Sequence, residues 1–172
     1  MHVITGILVP VDEKEPLQRV EFDATDIGTI QGHVGGNVQV IDVNRPASSL
    51  WIHEEGKLIG LPINRRASLL LWLHAPAFRG QDILAGPVLV TGVADAAGDT
   101  TSVPGDLTAL LLGTSKYRVE VQADSTGKWY GNEVRFDDWV GAYAYALNLA
   151  HRWTSVRDVR VVSADPAPLV GA

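Results

Sequence analysis

Apolar residues in this chain arrive in short runs, each closed by turn-forming residues, and that punctuation limits what it can fold into. The most apolar run, Leu69 to Leu73, spans five residues, against the ~20 that a membrane-spanning helix needs. His2-Val3-Ile4-Thr5-Gly6 has neither the basic start nor the small-residue cleavage site of a secretory leader. A soluble, cytoplasmic protein without membrane contact is expected. At 172 residues and 46% apolar content, the chain can bury roughly 70% of its unfolded surface, which excludes wholesale disorder. It has no cysteine, which excludes disulfides, thiolate zinc sites and cysteine nucleophiles.

Ile4 to Val9 reads as a strand stopped by Pro10 and the charged turn Asp12-Glu13-Lys14-Glu15. Arg19 to Phe22 alternates polar and apolar residues, the period of a half-buried strand. Ile27, Ile30 and Val34 recur at helical spacing, with Asp23 and Thr25 as capping candidates and Gly35-Gly36 as the stop. Val38 to Val43, Leu50 to His53, Leu58 to Leu61 and Pro87 to Ala94 read as further strands. Glu54-Glu55-Gly56-Lys57 forms a hairpin turn before Leu58. Asn64 caps a helix over Arg65 to His74 that lies across the sheet, and a short helix runs from Asp106 to Leu112 and stops at Gly113. The predicted class is α+β, with a mostly antiparallel sheet of five or six strands and two principal helices.

Charge and aromatic content divide the chain near Gly113-Thr114-Ser115. Residues 1–55 hold nine acidic and three basic side chains, whereas 56–113 and 114–172 are each balanced, so the net charge of -6 sits in the first third. Eight of the twelve aromatic residues follow Gly113. Two domains are expected on that basis, 1–113 and 114–164, with a mobile tail at 165–172. In the second domain Tyr117, Val119 and Val121 alternate along a strand, Ser125-Thr126-Gly127-Lys128 turns the chain, and Tyr130 to Phe136 returns it. Asp137 caps a helix running to Trp153 whose inner face is Trp139, Tyr143, Ala146, Ala150 and Trp153. Val156 to Val162 completes a small β-β-α-β module.

Four segments of the first domain carry a family resemblance. They are Val34-Gly35-Gly36-Asn37-Val38, Glu54-Glu55-Gly56-Lys57-Leu58, Gly60-Leu61-Pro62-Ile63-Asn64-Arg65-Arg66-Ala67 and Gly86-Pro87-Val88-Leu89-Val90. In that order they resemble the domain-of-unknown-function family 3846, carried by bacteriophages, plasmids and some bacteria, over roughly residues 4–112. The family pattern usually has Asp where Pro87 stands, so any role of that carboxylate is absent here. Gly131-Asn132, Arg135-Phe136, Leu149, Arg152-Trp153-Thr154, Val156-Arg157 and Arg160-Val161-Val162 are similar to a β-β-α-β unit of actinobacterial phage proteins. The resemblance implies a phage or mobile-element accessory protein, and it brings no activity and no catalytic residue.

Asn64, Arg65 and Arg66 are the leading candidate site. Two guanidiniums beside the free N–H groups and positive dipole end of a helix start suit a phosphate or carboxylate. An internal reading stands beside it, in which Asn64 is a cap and the arginines pair with the acidic first third, for example around Glu54-Glu55. The second surface is Trp129, Tyr130, Arg135, Arg152, Arg157 and Arg160, with Trp153, a mixture that stacks on bases and holds phosphates. Its alternative is a small aromatic core with arginines on the rim, and the local charge balance argues against strong phosphate binding.

The glycine-rich stretch Gly28 to Asn37 matches neither the dinucleotide fingerprint nor the P-loop. His2, His33, His53, His74 and His151 lack metal-ligand spacing, and no serine sits in a Gly-x-Ser-x-Gly elbow. No catalytic residue, metal or cofactor is expected. The leading expectation is a non-enzymatic accessory protein, monomeric or homodimeric, that binds a host or phage protein or a small phosphate-bearing ligand. A single-stranded nucleic-acid binder using the C-terminal surface is the second reading. The third is a cryptic hydrolase, which requires an interior cleft with convergent histidine and carboxylate groups.

Overall fold

Short apolar runs separated by turns resolve into an α+β structure with two antiparallel sheets, in a computed structural model that describes residues 1–167. The chain forms two units, Met1–Thr108 and the residues from Ala109 onward. In the first, β1 (Val3–Val9), β2 (Gln18–Asp23), β3 (Val38–Val43), β4 (Ser48–His53) and β5 (Val88–Gly92) make a sheet of order β2-β1-β5-β4-β3. All neighbouring strands are antiparallel.

The registers explain which side chains are buried. Ile7 lies opposite Val90, and Val90 opposite Leu50, so these three share one side of the sheet. Leu8, Leu89 and Trp51 share the other side. There Leu89 joins Ile4 and Phe22 in a cluster closed by Ile30 and Val34 of α1 (Ile27–Val34). Every residue of the central strand β5 is buried, which explains its continuous valine-rich sequence rather than a clean alternation.

α1 starts one turn residue later than the sequence predicts. Asp23 Oδ1 accepts from Thr25 N and Thr25 Oγ1, closing a local turn, and Asp26 becomes the cap by accepting from Thr29 N. Gly35 ends the helix in the left-handed conformation, with φ of 91°. α2 (Arg65–His74) is an interior helix: seven of its ten residues are buried, including Arg66 and Ser68. α3 (Gly105–Leu112) carries the chain across the division between the units.

The predicted strand at Leu58 to Leu61 does not form. Residues 54–60 coil through successive turns, with Ile59 N donating to Glu55 O and Leu61 N to Gly56 O. Gly60 permits this by taking φ of 75°, a left-handed value that breaks an extended strand.

The second unit has the predicted β-β-α-β order: β6 (Tyr117–Gln122), β7 (Tyr130–Gly131), α4 (Trp139–Arg152) and β8 (Asp158–Ser163), with sheet order β7-β6-β8. Tyr117, Val119, Val159 and Val161 are buried, as are Trp139, Ala142, Tyr143 and Ala146 of α4. The Trp139 and Tyr143 rings meet edge to face, 5.1 Å apart. Three details differ from expectation. The return strand is only two residues long, because Asn132 Oδ1 accepts from Val134 N and bends the chain before Phe136 rejoins Tyr117. Asp138 caps α4 through Gly141 N, while Asp137 pairs with Lys116. Trp153 lies past the last helical residue and is exposed, so it is not part of the inner face.

Of the tail, residues 168–172 lie outside the described residues. Asp165 is held in place, since its carboxylate accepts from Ser115 N, Ser115 Oγ and Lys116 N.

A Cβ on Gly92 would lie 2.2 Å from Thr101 Oγ1 and 2.4 Å from Ser102 O. Gly92→Ala should therefore cost about 1–3 kcal/mol in a denaturant titration, the usual range for overpacking. The hydrogen bonds from Ser115 hold the Asp165 carboxyl below its ordinary value. A carboxylate depressed in the folded state supports folding above its unfolded pKa, and that support disappears as pH falls through the folded one. Thermal melts of Asp165→Asn should accordingly show a shallower acid limb below about pH 4 than the parent chain.

Candidate functional site

The end of β1, the start of α2 and the loop entering β5 meet at one buried amide. Asn64 is fully buried. Its Oδ1 accepts from Ala67 N at 3.0 Å, which caps α2. Its Nδ2 donates to Val9 O at 2.9 Å and to Gly86 O at 3.0 Å. The backbone adds to the knot: Asn64 N donates to Leu84 O, Ser68 Oγ donates to Asn64 O, and Leu84 N donates back to Ser68 Oγ. A buried primary amide with donors and acceptor satisfied is a joint between three segments.

The neighbouring arginines face the acidic first third, but not at Glu54-Glu55. Arg66 is 5% exposed and donates to the backbone carbonyls of Glu15 (2.7 Å), Pro10 (2.8 Å) and Asp12 (2.9 Å). Burial pulls its pKa down, while the charges of Glu13, Asp12 and Glu15 oppose that shift. Its Nε has no hydrogen-bond partner among the described residues. Arg65 points outward and meets Glu13 at 3.3 Å, with both side chains at least half exposed. The 10–15 loop is thus wrapped around one guanidinium and tethered loosely by the next.

Of the six residues of the C-terminal surface, Trp129 and Arg160 meet directly, and Tyr130 and Arg157 both act on Asp124. On β6 the inward residues are Tyr117 and Val119, so Arg118 and Glu120 occupy the other side of that sheet. Glu120 is buried, and there its carboxylate meets Arg160 Nη2 at 2.7 Å and Arg118 Nη2 at 3.1 Å. Arg160 also stacks on Trp129, its Cζ 4.2 Å from the ring centroid. Arg135 is turned into its own loop, donating to the carbonyls of Asn132 and Val134. Arg152 lies at the end of α4 near Asn148, Arg157 precedes β8, and Tyr130 reaches Asp124 through its hydroxyl. Arg160 and Trp129 are brought together, and Arg118 and Glu120, not singled out from the sequence, complete their cluster.

The most unusual exposed chemistry lies beside Asn64. Leu58 is 84% exposed, and Ile59, Ile63 and Ile83 are also exposed. They sit on two loops that run alongside each other: Lys57 pairs with Asp82, Ile63 bridges Ala85, and Gly86 N donates to Pro62 O. A cleft of about 370 Å³ continues from Ile83 and is lined by Trp72, Gly80, Gln81 and Asp82. Trp72 is fixed there by Nε1 donating to Asp82 O at 2.6 Å. Glu54 and Glu55 are exposed at the start of the first loop. In the sequence Leu58 to Leu61 passes for a short strand; the signal for an exposed loop is the frame of Gly56, Gly60 and Pro62 around it.

Among the described residues no group of three or more His, Cys, Asp or Glu is placed to hold a metal ion, and no helix is long and apolar enough to cross a membrane. The family described as Domain of unknown function (DUF3846) matches residues 4–116. No curated protein and no solved structure compared with the chain matches it.

Removing the joint should be costly. Asn64→Ala loses a cap worth about 1 kcal/mol and removes two buried hydrogen bonds, to Val9 O and Gly86 O, worth about 1 kcal/mol each. A loss of about 3 kcal/mol is expected in chemical denaturation. Arg66→Met keeps the apolar stem but frees the 10–15 loop, so limited proteolysis should cut that loop first in the folded variant.

Proposed function

Because the chain belongs to the DUF3846 family, whose function is unknown, its surface has to be read without an inherited activity, and we propose a non-catalytic accessory role in protein binding. The docking site is the aliphatic ridge of Leu58, Ile59 and Ile63 with the Trp72 cleft beside Ile83. Its occupant is a basic, amphipathic segment of another protein, of host or mobile-element origin.

One observation carries this reading: large aliphatic side chains are displayed on a loop that is internally hydrogen-bonded. Gly56 N, Ile59 N, Gly60 N and Leu61 N all donate to carbonyls within residues 53–57. Single exposed aliphatics are ordinary, whereas a cluster on a pre-formed frame is the signature of an interaction surface. Such a frame also lowers the ordering cost of binding.

Charge decides the partner's character. Glu54 and Glu55 flank the ridge, Glu13 is exposed beside Arg65, and the acidic excess of the chain lies within residues 1–55. Lysine and arginine on the occupant match that rim and speed its encounter, while its apolar face covers Leu58 and Ile59. The anion-binding alternative has less support, because both terminal nitrogens of Arg66 already donate to backbone carbonyls.

A pair of synthetic helical peptides tests this, one with a leucine face and lysines elsewhere, the other with glutamates in place of the lysines. Fluorescence anisotropy should show saturable binding of the lysine peptide that weakens with salt, and none of the glutamate peptide. Leu58→Ser combined with Ile59→Ser should reduce that affinity at least tenfold while leaving the melting temperature unchanged, since both side chains are exposed. Equal binding by the parent and the double variant, or no binding of the lysine peptide, would rule the ridge out.

A further inference from the structure

We propose that the chain forms a two-fold homodimer through the free edge of β3, which joins two five-stranded sheets into one. This goes beyond the ridge and uses none of its residues.

β3 has a paired side and an open side. It pairs with β4 from Val38↔His53 to Val43↔Ser48, and among the described residues no other strand pairs with it. The bond from Glu54 N to Asn37 O (2.8 Å) sets the phase of this ladder. In an antiparallel pair the bonded positions alternate, so Gln39, Ile41 and Val43 turn their backbone groups toward β4. Val38, Val40 and Asp42 turn theirs outward.

The two edges of the sheet are built differently. At the other edge, β2 displays Arg19 and Glu21 as an exposed ion pair 3.5 Å apart, a common device against strand pairing. β3 has the sequence Val-Gln-Val-Ile-Asp-Val, with no proline, lysine or arginine to guard it. Val40 is 44% exposed on it.

The occupant is a second copy because the edge complements itself. When two β3 strands pair antiparallel about Val40, that valine faces its own counterpart, and Val38 faces Asp42 of the partner subunit. All three outward positions then pair with outward positions, so each facing pair exchanges two backbone hydrogen bonds. The central valine pair is a favourable β-branched contact. Asp42, the one charge on the strand, already accepts from Ser49 Oγ at 2.6 Å and faces a valine rather than a like charge. No side chain in this register opposes a charge of its own sign.

Sedimentation velocity on the full chain, together with two variants, tests the proposal. The parent chain should sediment as a dimer. Val40→Lys places two ammonium groups face to face on the axis and should give a monomer with an unchanged circular dichroism spectrum. Val40→Cys introduces the sole thiol of a chain without cysteine. The Cα separation of about 5.5 Å in such a pair suits a disulfide, so mild oxidation should link this variant into covalent dimers. Glu21→Cys, at the guarded edge, should stay unlinked. A parent chain that is monomeric at its highest soluble concentration overturns the proposal. So does a dimer that survives Val40→Lys, or equal cross-linking of the two cysteine variants. If Val40→Lys does not fold, the parent's mass and the cysteine pair decide the matter without it.

Discussion

Asn64 is the residue on which the first unit depends. Its side chain satisfies a helix N–H, a carbonyl at the end of β1 and a carbonyl at the turn into β5. Each of those bonds is buried, so one amide fixes where three segments meet. The neighbouring glycines make the approach close enough. Gly86 has φ of 81°, and a Cβ there would lie 2.8 Å from Leu61 Cδ1. Gly56 faces the same Leu61 methyl and the Ala85 carbonyl. Three of the four segments that resemble the family converge on this joint, which gives the motif a physical meaning: it builds a corner.

The acidic first third acquires a structural cause from the same corner. A buried guanidinium needs its charge balanced and its N–H groups satisfied. Arg66 obtains the second from three carbonyls of the 10–15 loop and the first from the carboxylates of that loop. Part of the charge asymmetry is therefore the counterpart of one buried cation. What is left for recognition is the portion around Glu54 and Glu55, whose side chains are exposed.

The strands that build the core were legible because their side-chain period and turn residues agree: β1, β3, β4 and β5, and the β-β-α-β order of the second unit, all follow from pattern. The joint was only half legible. Asn64 followed by a helical run reads as a cap, and so it is, but its bonds to Val9 and Gly86 reach 55 and 22 residues away. Arg66 likewise finds its partners 51 to 56 residues upstream, beyond any local spacing rule. Leu58 to Leu61 misleads for a different reason. A four-residue apolar stretch carries too little periodicity to separate strand from coil, and the left-handed Gly60 decides for coil. In the second unit, Asn132 does the same to the return strand by bonding to Val134 N.

The arginines of both units are used in similar ways, and this bears on what the surface can recognise. Arg66 is enclosed by carbonyls; Arg160 lies between the Glu120 carboxylate and the Trp129 ring. In each case the cation that a sequence reading offers to phosphate already has an internal partner, and phosphate binding would have to displace it. Displacement at Arg66 would give up three hydrogen bonds to backbone carbonyls, the one to Pro10 O buried, and at Arg160 it would leave the buried Glu120 with Arg118 alone. Aliphatic side chains impose no such exchange. Leu58 and Ile59 release only water when covered, and at roughly 25 cal/mol per Å² their burial is a net gain. For this corner the available driving force is apolar burial, and in the proposed docking role the acidic rim would select which apolar segment arrives.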